Sequence, residues 1–486
     1  LIRPRDCPSC HNWCKREQGG DSGCTETIIL LMPRYQLLLS FLILILLGAL
    51  ALRMPGCIPE GYELGWIDAL FTSTSAVCVT GLTVVDTGTK FSLGGQIIIL
   101  ILIQAGGLGM LTISNWLLVV LSGSRVSLSS RFILEETHGM HYRIEPTGLL
   151  KRIILFTILS EGIGAFVLFL RFIVDYPFPR AFWLAVFHSV AAFCNAGFSL
   201  FPDNLMSYRD DWVINMTIMA LIVLGGIGFM VFSDVVFVLN SVLKRRTRRW
   251  FLAWHRITLH SKVTLITTGI LIFAGALLVA LFESENLMKE MPFHQRLLPA
   301  LFLSITSRTA GFNTVDTGQL TNLTLLLVIF LMFVGASPGS TGGGIKTTTF
   351  ALLIALFRSR LFNRPRTEMF GRTVPESLVA KAVVSWAAFI ALVLIGVTGL
   401  EYFEFGFASH KVSSGSVLDM LFEVTSALGT VGLSVGITPT LQSGSRLVLV
   451  VIMFFGRVGP LAIASSFIGQ RHVLRYTLPE ERIMVG

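Results

Sequence analysis

Four stretches of the chain share one design, and a fold must accommodate all four. Thr72–Gly88 reads TSTSAVCVTGLTVVDTG, His188–Asp203 reads HSVAAFCNAGFSLFPD, Ser304–Gly318 reads SITSRTAGFNTVDTG and Glu423–Thr438 reads EVTSALGTVGLSVGIT. Each is a run of small and hydroxylated residues arriving at a glycine. The central glycines are Gly81, Gly197, Gly311 and Gly432, which lie 116, 114 and 121 residues apart. Self-similarity at a fixed period decides the architecture before any single element does. Four diverged copies of one unit are therefore expected.

What flanks the glycines says where such units live. Of the 486 residues, 53% are hydrophobic and only 14% are charged, against roughly 25% charged in soluble domains. The excess sits in long apolar blocks, so the chain reads as a polytopic membrane protein. Each unit runs span, short helix, glycine loop, span. The expected segments are Leu37–Leu52, Trp66–Val77 and Gln96–Leu121; Leu149–Arg171, Ala181–Phe193 and Trp212–Leu243; Lys262–Phe282, Arg296–Thr306 and Leu320–Phe357; Val379–Leu400, Ser416–Ala427 and Arg446–Phe467. The fold class is thus an all-α membrane protein with eight transmembrane helices and four re-entrant loops. Repeats occupy residues 35–122, 147–244, 261–358 and 377–469, with tails at 1–34 and 470–486. Asp68 and Asp419 each stand thirteen residues before their glycine, in the first turn of the short helix, where an acid favours the positive end of the dipole.

The net charge of +9 invites a nucleic-acid reading, which its distribution argues against. Basic residues gather at 125–152, 244–256 and 358–381, and the alternate connections carry Glu60, Glu63 and Asp68; Asp203, Asp210 and Asp211; Glu283, Glu285 and Glu290; Glu401 and Glu404. That alternation is the positive-inside pattern. It puts both termini in the cytoplasm, all four glycine loops outside, the body among membrane lipid and no nucleic acid among the partners. Cys7-Pro-Ser-Cys10-His11 matches a haem-attachment pattern and Cys14 could extend it to zinc, but on a cytoplasmic tail a polar, unstructured segment is the expectation.

Non-helical backbone at membrane depth is tolerated only inside protein or beside water. Four such loops call for a common interior. Glycine permits positive φ, so the strand before it can turn carbonyls to one side, where they replace the water shell of a monovalent cation. The residues expected to do so are Val79, Thr80 and Gly81; Asn195, Ala196 and Gly197; Thr309, Ala310 and Gly311; and Thr430, Val431 and Gly432. No acid lies among them, whereas a divalent-selective pore would more readily use a carboxylate ring. Asp86, Asp203 and Asp316 follow their glycines by five, six and five residues. They are candidates for an outer vestibule that concentrates cations, although Asp is also common in turns.

Each second span carries further glycines: Gly106-Gly107-Leu108-Gly109, Gly225-Gly226-Ile227-Gly228, Gly335–Gly344 and Gly456-Arg457-Val458-Gly459-Pro460. The third, GASPGSTGGGIKTTT, must break its helix. A phosphate-binding loop is a poor fit there, because Ile345 separates Gly344 from Lys346. Arg457 is a charge within a span, functional by default unless it snorkels to the surface. Glu161, also mid-span, is expected to pair within the bundle.

The four motifs Val79-Thr80-Gly81-Leu82, Asn195-Ala196-Gly197-Phe198, Thr309-Ala310-Gly311-Phe312-Asn313 and Thr430-Val431-Gly432-Leu433 resemble those of the Trk/Ktr/HKT superfamily of potassium transporters, and in particular the Ktr-type bacterial membrane subunit. The resemblance spans Trp66 to Pro460. It implies potassium uptake across the plasma (bacterial inner) membrane without enzyme chemistry or a covalently bound cofactor, with sodium as a possible second ion. It implies a homodimer on a cytosolic nucleotide-binding regulatory ring. It further implies an intramembrane gate made of Ala336, Ser337, Pro338, Gly339, Ser340, Thr341, Gly342, Gly343 and Gly344, with Arg457 beneath the filter. The alternative is a sodium- or proton-coupled carrier for another monovalent cation. A rocking-repeat carrier expects an inverted pair of broken helices, and these units share one orientation.

Overall fold

The structure, a computed structural model, describes residues 23–59, 61–121, 146–244, 257–289, 291–409 and 415–459. The Cys7–His11 motif, most of the first two basic stretches and the chain from Pro460 onward lie outside the described residues. The described chain is mostly helical, with one two-stranded hairpin at Glu368–Met369 and Arg372–Thr373.

The elements follow chain order. They are α1 (Gly23–Leu52), α2 (Trp66–Val77), α3 (Leu93–Leu121), α4 (Pro146–Phe172), α5 (Phe178–Cys194), α6 (Trp212–Ile227) and α7 (Phe229–Lys244); then α8 (Leu259–Phe282), α9 (Phe293–Thr306), α10 (Asn322–Phe333), α11 (Thr347–Leu361), α12 (Glu376–Phe405), α13 (Ser416–Gly429) and α14 (Ser443–Val458). Starts are set by ordinary capping chemistry. The side chains of Asp211, Thr258 and Thr321 accept from the backbone N–H of Ile214, Ser261 and Thr324, and Pro177 and Pro292 precede α5 and α9. An apolar side chain on every face leaves no polar side to put to water. Accordingly Ile158, Ile163, Phe166 and Leu170 of α4 stand exposed, as they would against lipid.

Residues 151–172 of α4, all of α8 and all of α12 are long and apolar enough to cross a membrane, and the bent pair α6–α7 makes a fourth candidate. The apolar stretches Leu38–Leu52, Leu93–Gly109 and Asn322–Phe333 are shorter. Two expected crossings are not continuous helices. Trp212–Leu243 bends by 97° at Gly228, and Leu320–Phe357 opens between α10 and α11. The first break has no proline to announce it; the second is the glycine-rich segment.

The helices pack in a regular order along the chain. The short helix α2 packs on α1 and α3, α5 on α4 and α6, α9 on α8, and α13 on α12 and α14. Each short helix also meets the second long helix of the preceding group: α5 touches α3, α9 touches α6, α13 touches α10 and α2 touches α14. The last contact joins the end of the chain to its beginning, so the four groups form a closed cycle in chain order. Within three groups the short helix hangs from its long partner by a serine. Ser73 donates to Ile45 O at 2.7 Å, Ser189 to Glu161 O at 2.7 Å and Ser304 to Ile272 O at 2.8 Å. Gly48, Gly164 and Gly275 make room for those hydroxyls, and Gly396 does the same for Val424 in the fourth.

Candidate functional site

The short helices end with their loops turned towards one another. In each loop the residue two before the glycine is left-handed: Val79 (φ 56°), Asn195 (61°), Thr309 (73°) and Thr430 (50°). Three of these are β-branched, for which positive φ is a true outlier, costing about 1–3 kcal/mol each. The glycines are left-handed too, at 92°, 66°, 81° and 91°. One strained backbone path therefore occurs four times, and all twelve expected residues are buried. In the first, second and fourth loops the residue before the glycine donates its N–H five residues back, from Thr80 to Ser75 O, Ala196 to Ala191 O and Val431 to Ser426 O, each at 2.8 Å. In the third, Ala310 donates to Thr306 O at 3.0 Å.

The glycines join the loops into a ring. A Cβ on Gly81 would lie 2.3 Å from Ala196 O, one on Gly197 2.7 Å from Ala310 O, one on Gly311 2.4 Å from Val431 O, and one on Gly432 2.1 Å from Thr80 O. Each glycine thus abuts the carbonyl that precedes the next glycine, and the fourth returns to the first. Four main-chain oxygens, those of Thr80, Ala196, Ala310 and Val431, each lie against the neighbouring loop's glycine, with no room for a side chain between neighbours. The second and third loops are tied further by the Asn195 amide and the Thr309 hydroxyl, 3.1 Å apart. Turned so that its oxygen accepts from Thr309, the amide also donates to Ala192 O and Ile222 O.

The glycine-rich break between α10 and α11 lies directly against these loops. A Cβ on Gly342 would meet Thr309 Oγ1 at 2.2 Å and one on Gly343 would meet Thr430 Oγ1 at 2.3 Å. Gly343 N–H donates to Thr430 Oγ1 at 3.0 Å, and Thr341 Oγ1 donates to Phe193 O at 3.2 Å. Within the segment Val334 and Ile345 form a parallel bridge, Ala336 N–H donates to Gly343 O and Ser340 Oγ donates to Ser337 O. Its outer bonds run to the other broken helix: Ser337 N–H to Gly226 O, Thr341 N–H to Gly225 O and, in return, Phe229 N–H to Gly339 O. The open ends of α6 and α7 and the bare loop thereby satisfy each other, as buried backbone must.

Arg457 of α14 is 1% exposed, so it does not reach a surface. Its guanidinium donates to Thr341 O in the glycine-rich segment and to Gly106 O and Gly107 O of α3. Two further cations, neither foreseen as part of this site, join it on the same segment. Lys346 Nζ donates to Gly342 O at 2.8 Å, and Arg308, also buried, donates to Gly335 O at 3.4 Å and Thr268 Oγ1 at 3.5 Å. Charge at membrane depth was the available signal for both. Glu161 accepts from Gln104 at 3.3 Å and lies 3.9 Å from Cys194 Sγ, linking α3, α4 and α5.

The three aspartates each organise their own turn. Asp86 accepts from Gly88 N–H (3.0 Å) and Thr89, Asp203 from Ser207 N–H (2.8 Å), and Asp316 from Gly318 N–H (3.0 Å) and Gln319. All three remain partly or fully exposed.

Comparison with known proteins points the same way. The TrkH family profile, described as cation transport protein, matches residues 34–472. The chain is 36% identical over 462 residues to the potassium/sodium uptake protein NtpJ of Enterococcus hirae, covering 94% of this chain and 98% of that one. It is 36% identical over 457 residues to the Ktr system potassium uptake protein B of Bacillus subtilis, covering 93% and 97%. Among solved structures, the potassium transporter TrkH from Vibrio parahaemolyticus shares the fold, with a TM-score of 0.68 at 20% identity over 90% of this chain and 85% of that one.

Proposed function

The chain belongs to the TrkH family of cation transport proteins, a family of ion transporters and not of enzymes, and on that premise we propose that it is the membrane subunit of a potassium uptake system. Its four loops would form one selectivity filter, with Val79–Gly81, Asn195–Gly197, Thr309–Gly311 and Thr430–Gly432 supplying main-chain oxygen to a dehydrated potassium ion. The observation that carries this reading is the closed ring of carbonyls, each packed on the next loop's glycine. Stripping an ion of water costs tens of kcal/mol by Born estimates, and only several oxygens held in place offset it. The four short helices direct their carbonyl ends at the same point, each adding about half a negative charge. Repeats at 35–122, 147–244, 261–358 and 377–469, a pseudo-fourfold arrangement, accord with the cyclic helix packing.

In the same reading Ala336–Gly344 is the gate and Arg457 its latch. The segment lies against the filter loops, and the buried Arg457 and Arg308 together with the half-buried Lys346 donate to its carbonyls. A fixed positive charge there opposes cation passage by the same electrostatics that favour it one layer above. Asp86, Asp203 and Asp316 would enrich cations at the mouth. Two relatives are named as Ktr system and potassium/sodium uptake proteins. By analogy we infer a homodimer in the plasma membrane with cytoplasmic termini, a separate cytosolic nucleotide-binding regulatory ring, and sodium as a possible co-ion.

The test is growth of a potassium-uptake-deficient strain on low potassium, followed by rubidium flux into proteoliposomes. Rescue and saturable flux are expected; well-expressed protein that gives neither would end the reading. Arg457→Gln should raise basal flux roughly ten- to a hundredfold, the range for removing a charged hydrogen-bond donor from a closed state. An unchanged or lower flux would remove Arg457 from the gate.

A further inference from the structure

Nine residues before each central glycine, on the buried face of its short helix, stand Thr72, His188, Phe302 and Glu423. Two of these four do the same thing. Glu423 accepts from the hydroxyl of Ser434, from Val435 N–H at 3.2 Å and from Thr438 Oγ1 at 2.8 Å. His188 has Nδ1 on Leu184 O at 2.8 Å, which makes Nδ1 the protonated nitrogen and Nε2 the acceptor. Nε2 lies 3.1 Å from Ser199 Oγ and accepts from Leu200 N–H at 3.4 Å. Ser199 and Ser434 are each two residues past their glycine, and Leu200 and Val435 three. A carboxylate and an imidazole therefore hold the same serine and the same backbone amide in the second and fourth loops.

The other two loops lack such an acceptor at this position, and the third is tied differently, by Thr306 Oγ1 donating to Phe312 O at 2.6 Å and Asn313 N–H donating to Asn204 Oδ1 at 3.4 Å. Phe302 has no acceptor, and Thr72 Oγ1 has no hydrogen-bond partner among the described residues. Thr314 Oγ1, three residues past Gly311, also has none among them. Since the loops contact one another in chain order, the second and fourth face each other across the ring.

We propose that His188 and Glu423 are positioning residues that brace two opposite filter loops from behind, setting the outer cation site and the preference for potassium over sodium there. The proposal rests on the filter reading above. A carbonyl ring discriminates between cations only if its oxygens resist closing on the smaller one. Hydrogen bonds donated by the strand just past the glycine to a fully buried acceptor on the short helix supply such resistance, and that acceptor is present along one diagonal of the ring. The fourth loop has Thr438 where the others have an aspartate turn, and Glu423 compensates by anchoring that threonine directly.

The experiment compares His188→Leu and Glu423→Leu with Thr72→Val and Phe302→Leu, which alter the matching unbraced positions. Rubidium uptake with sodium as competitor is read in proteoliposomes, and hydrogen exchange at Leu200 and Val435 is read by mass spectrometry. Loss of a buried acceptor should cut rubidium-over-sodium preference about tenfold and speed exchange of the freed amide about tenfold. Glu423→Gln, which keeps an acceptor oxygen for Ser434 and Val435, should show less than a third of that shift on a logarithmic scale. If the leucine variants do not fold, Ser199→Ala with Ser434→Ala removes the bonds from the other side and should move the preference in the same direction. Folded leucine variants with unchanged preference, or equal shifts at Thr72 and Phe302, would overturn the proposal. Absence of rubidium uptake in the unmodified protein would instead fail the filter reading, and the brace is then judged by exchange alone: unchanged rates at both amides would reject it.

Discussion

Single atoms decide much of this structure. Gly106, Gly225 and Gly456 each back onto the carbonyl at the end of a short helix, those of Val77, Phe193 and Leu428, where a Cβ would lie 2.0, 1.9 and 2.1 Å away. Gly106→Ala should therefore destabilise the protein by about 1–3 kcal/mol, the range for overpacking. Gly162→Ala, with nothing within 4 Å of the new Cβ, should leave stability unchanged or slightly raised. Thermal unfolding of the two purified variants in one detergent separates them, and equal midpoints would refute the packing argument. Glu283 offers a second residue-scale test. Burial pushes its carboxyl up, and donors from Thr324, Thr321 and Asn286 outweigh that and hold it below the ordinary carboxylate value. A carboxyl lowered on folding contributes stability that is complete above its unfolded pKa and is lost as pH falls through the folded one. Melting temperature should thus fall between about pH 6 and about pH 3 more steeply in the unmodified protein than in Glu283→Gln. Parallel curves would count against it.

At the scale of elements, the short helices were the easiest part to foresee, and the reason is chemical. Small and hydroxylated residues running into a glycine between two apolar blocks have few alternatives, and the expected Trp66–Val77 is the observed α2. The bend at Gly228 was not legible. Gly225-Gly226-Ile227-Gly228 differs only by Ile for Leu from Gly106-Gly107-Leu108-Gly109, which stays helical in α3. The difference is tertiary: Gly225 O, Gly226 O and Phe229 N–H find partners in the third unit's bare loop, and no local pattern encodes a partner more than a hundred residues away. The bracing pair at His188 and Glu423 was hidden for a related reason, since an imidazole and a carboxylate do not look alike in sequence. Gly228 has φ 92°, and a Cβ on it would lie 2.7 Å from Pro338 O. Gly228→Ala should push the glycine-rich segment out of register, raising basal rubidium flux severalfold and costing about 1–3 kcal/mol. Flux and melting behaviour identical to the unmodified protein would show that the two broken helices are not coupled.

At the scale of the molecule, the seam between α14 and α2 closes the cycle. Asp68, foreseen as a helix starter in the first turn of α2, also accepts from Arg446 of α14 at 2.5 Å, across 378 residues of chain. The pair is mostly shielded from solvent, at 23% and 19% exposed, so it should contribute more than an open surface bridge. A double-mutant cycle of Asp68→Asn and Arg446→Gln should give a coupling of about 1 kcal/mol; additive effects would mean that the seam holds by apolar packing alone. The ring's dependence on one chain has a further consequence. A channel assembled from four identical subunits must accept every substitution in quadruplicate. Here each quadrant is written separately in one gene, so the fourth unit alone can carry an arginine where the first and second carry Gly107 and Gly226, and natural variation can adjust one quarter of the ring while the other three hold still.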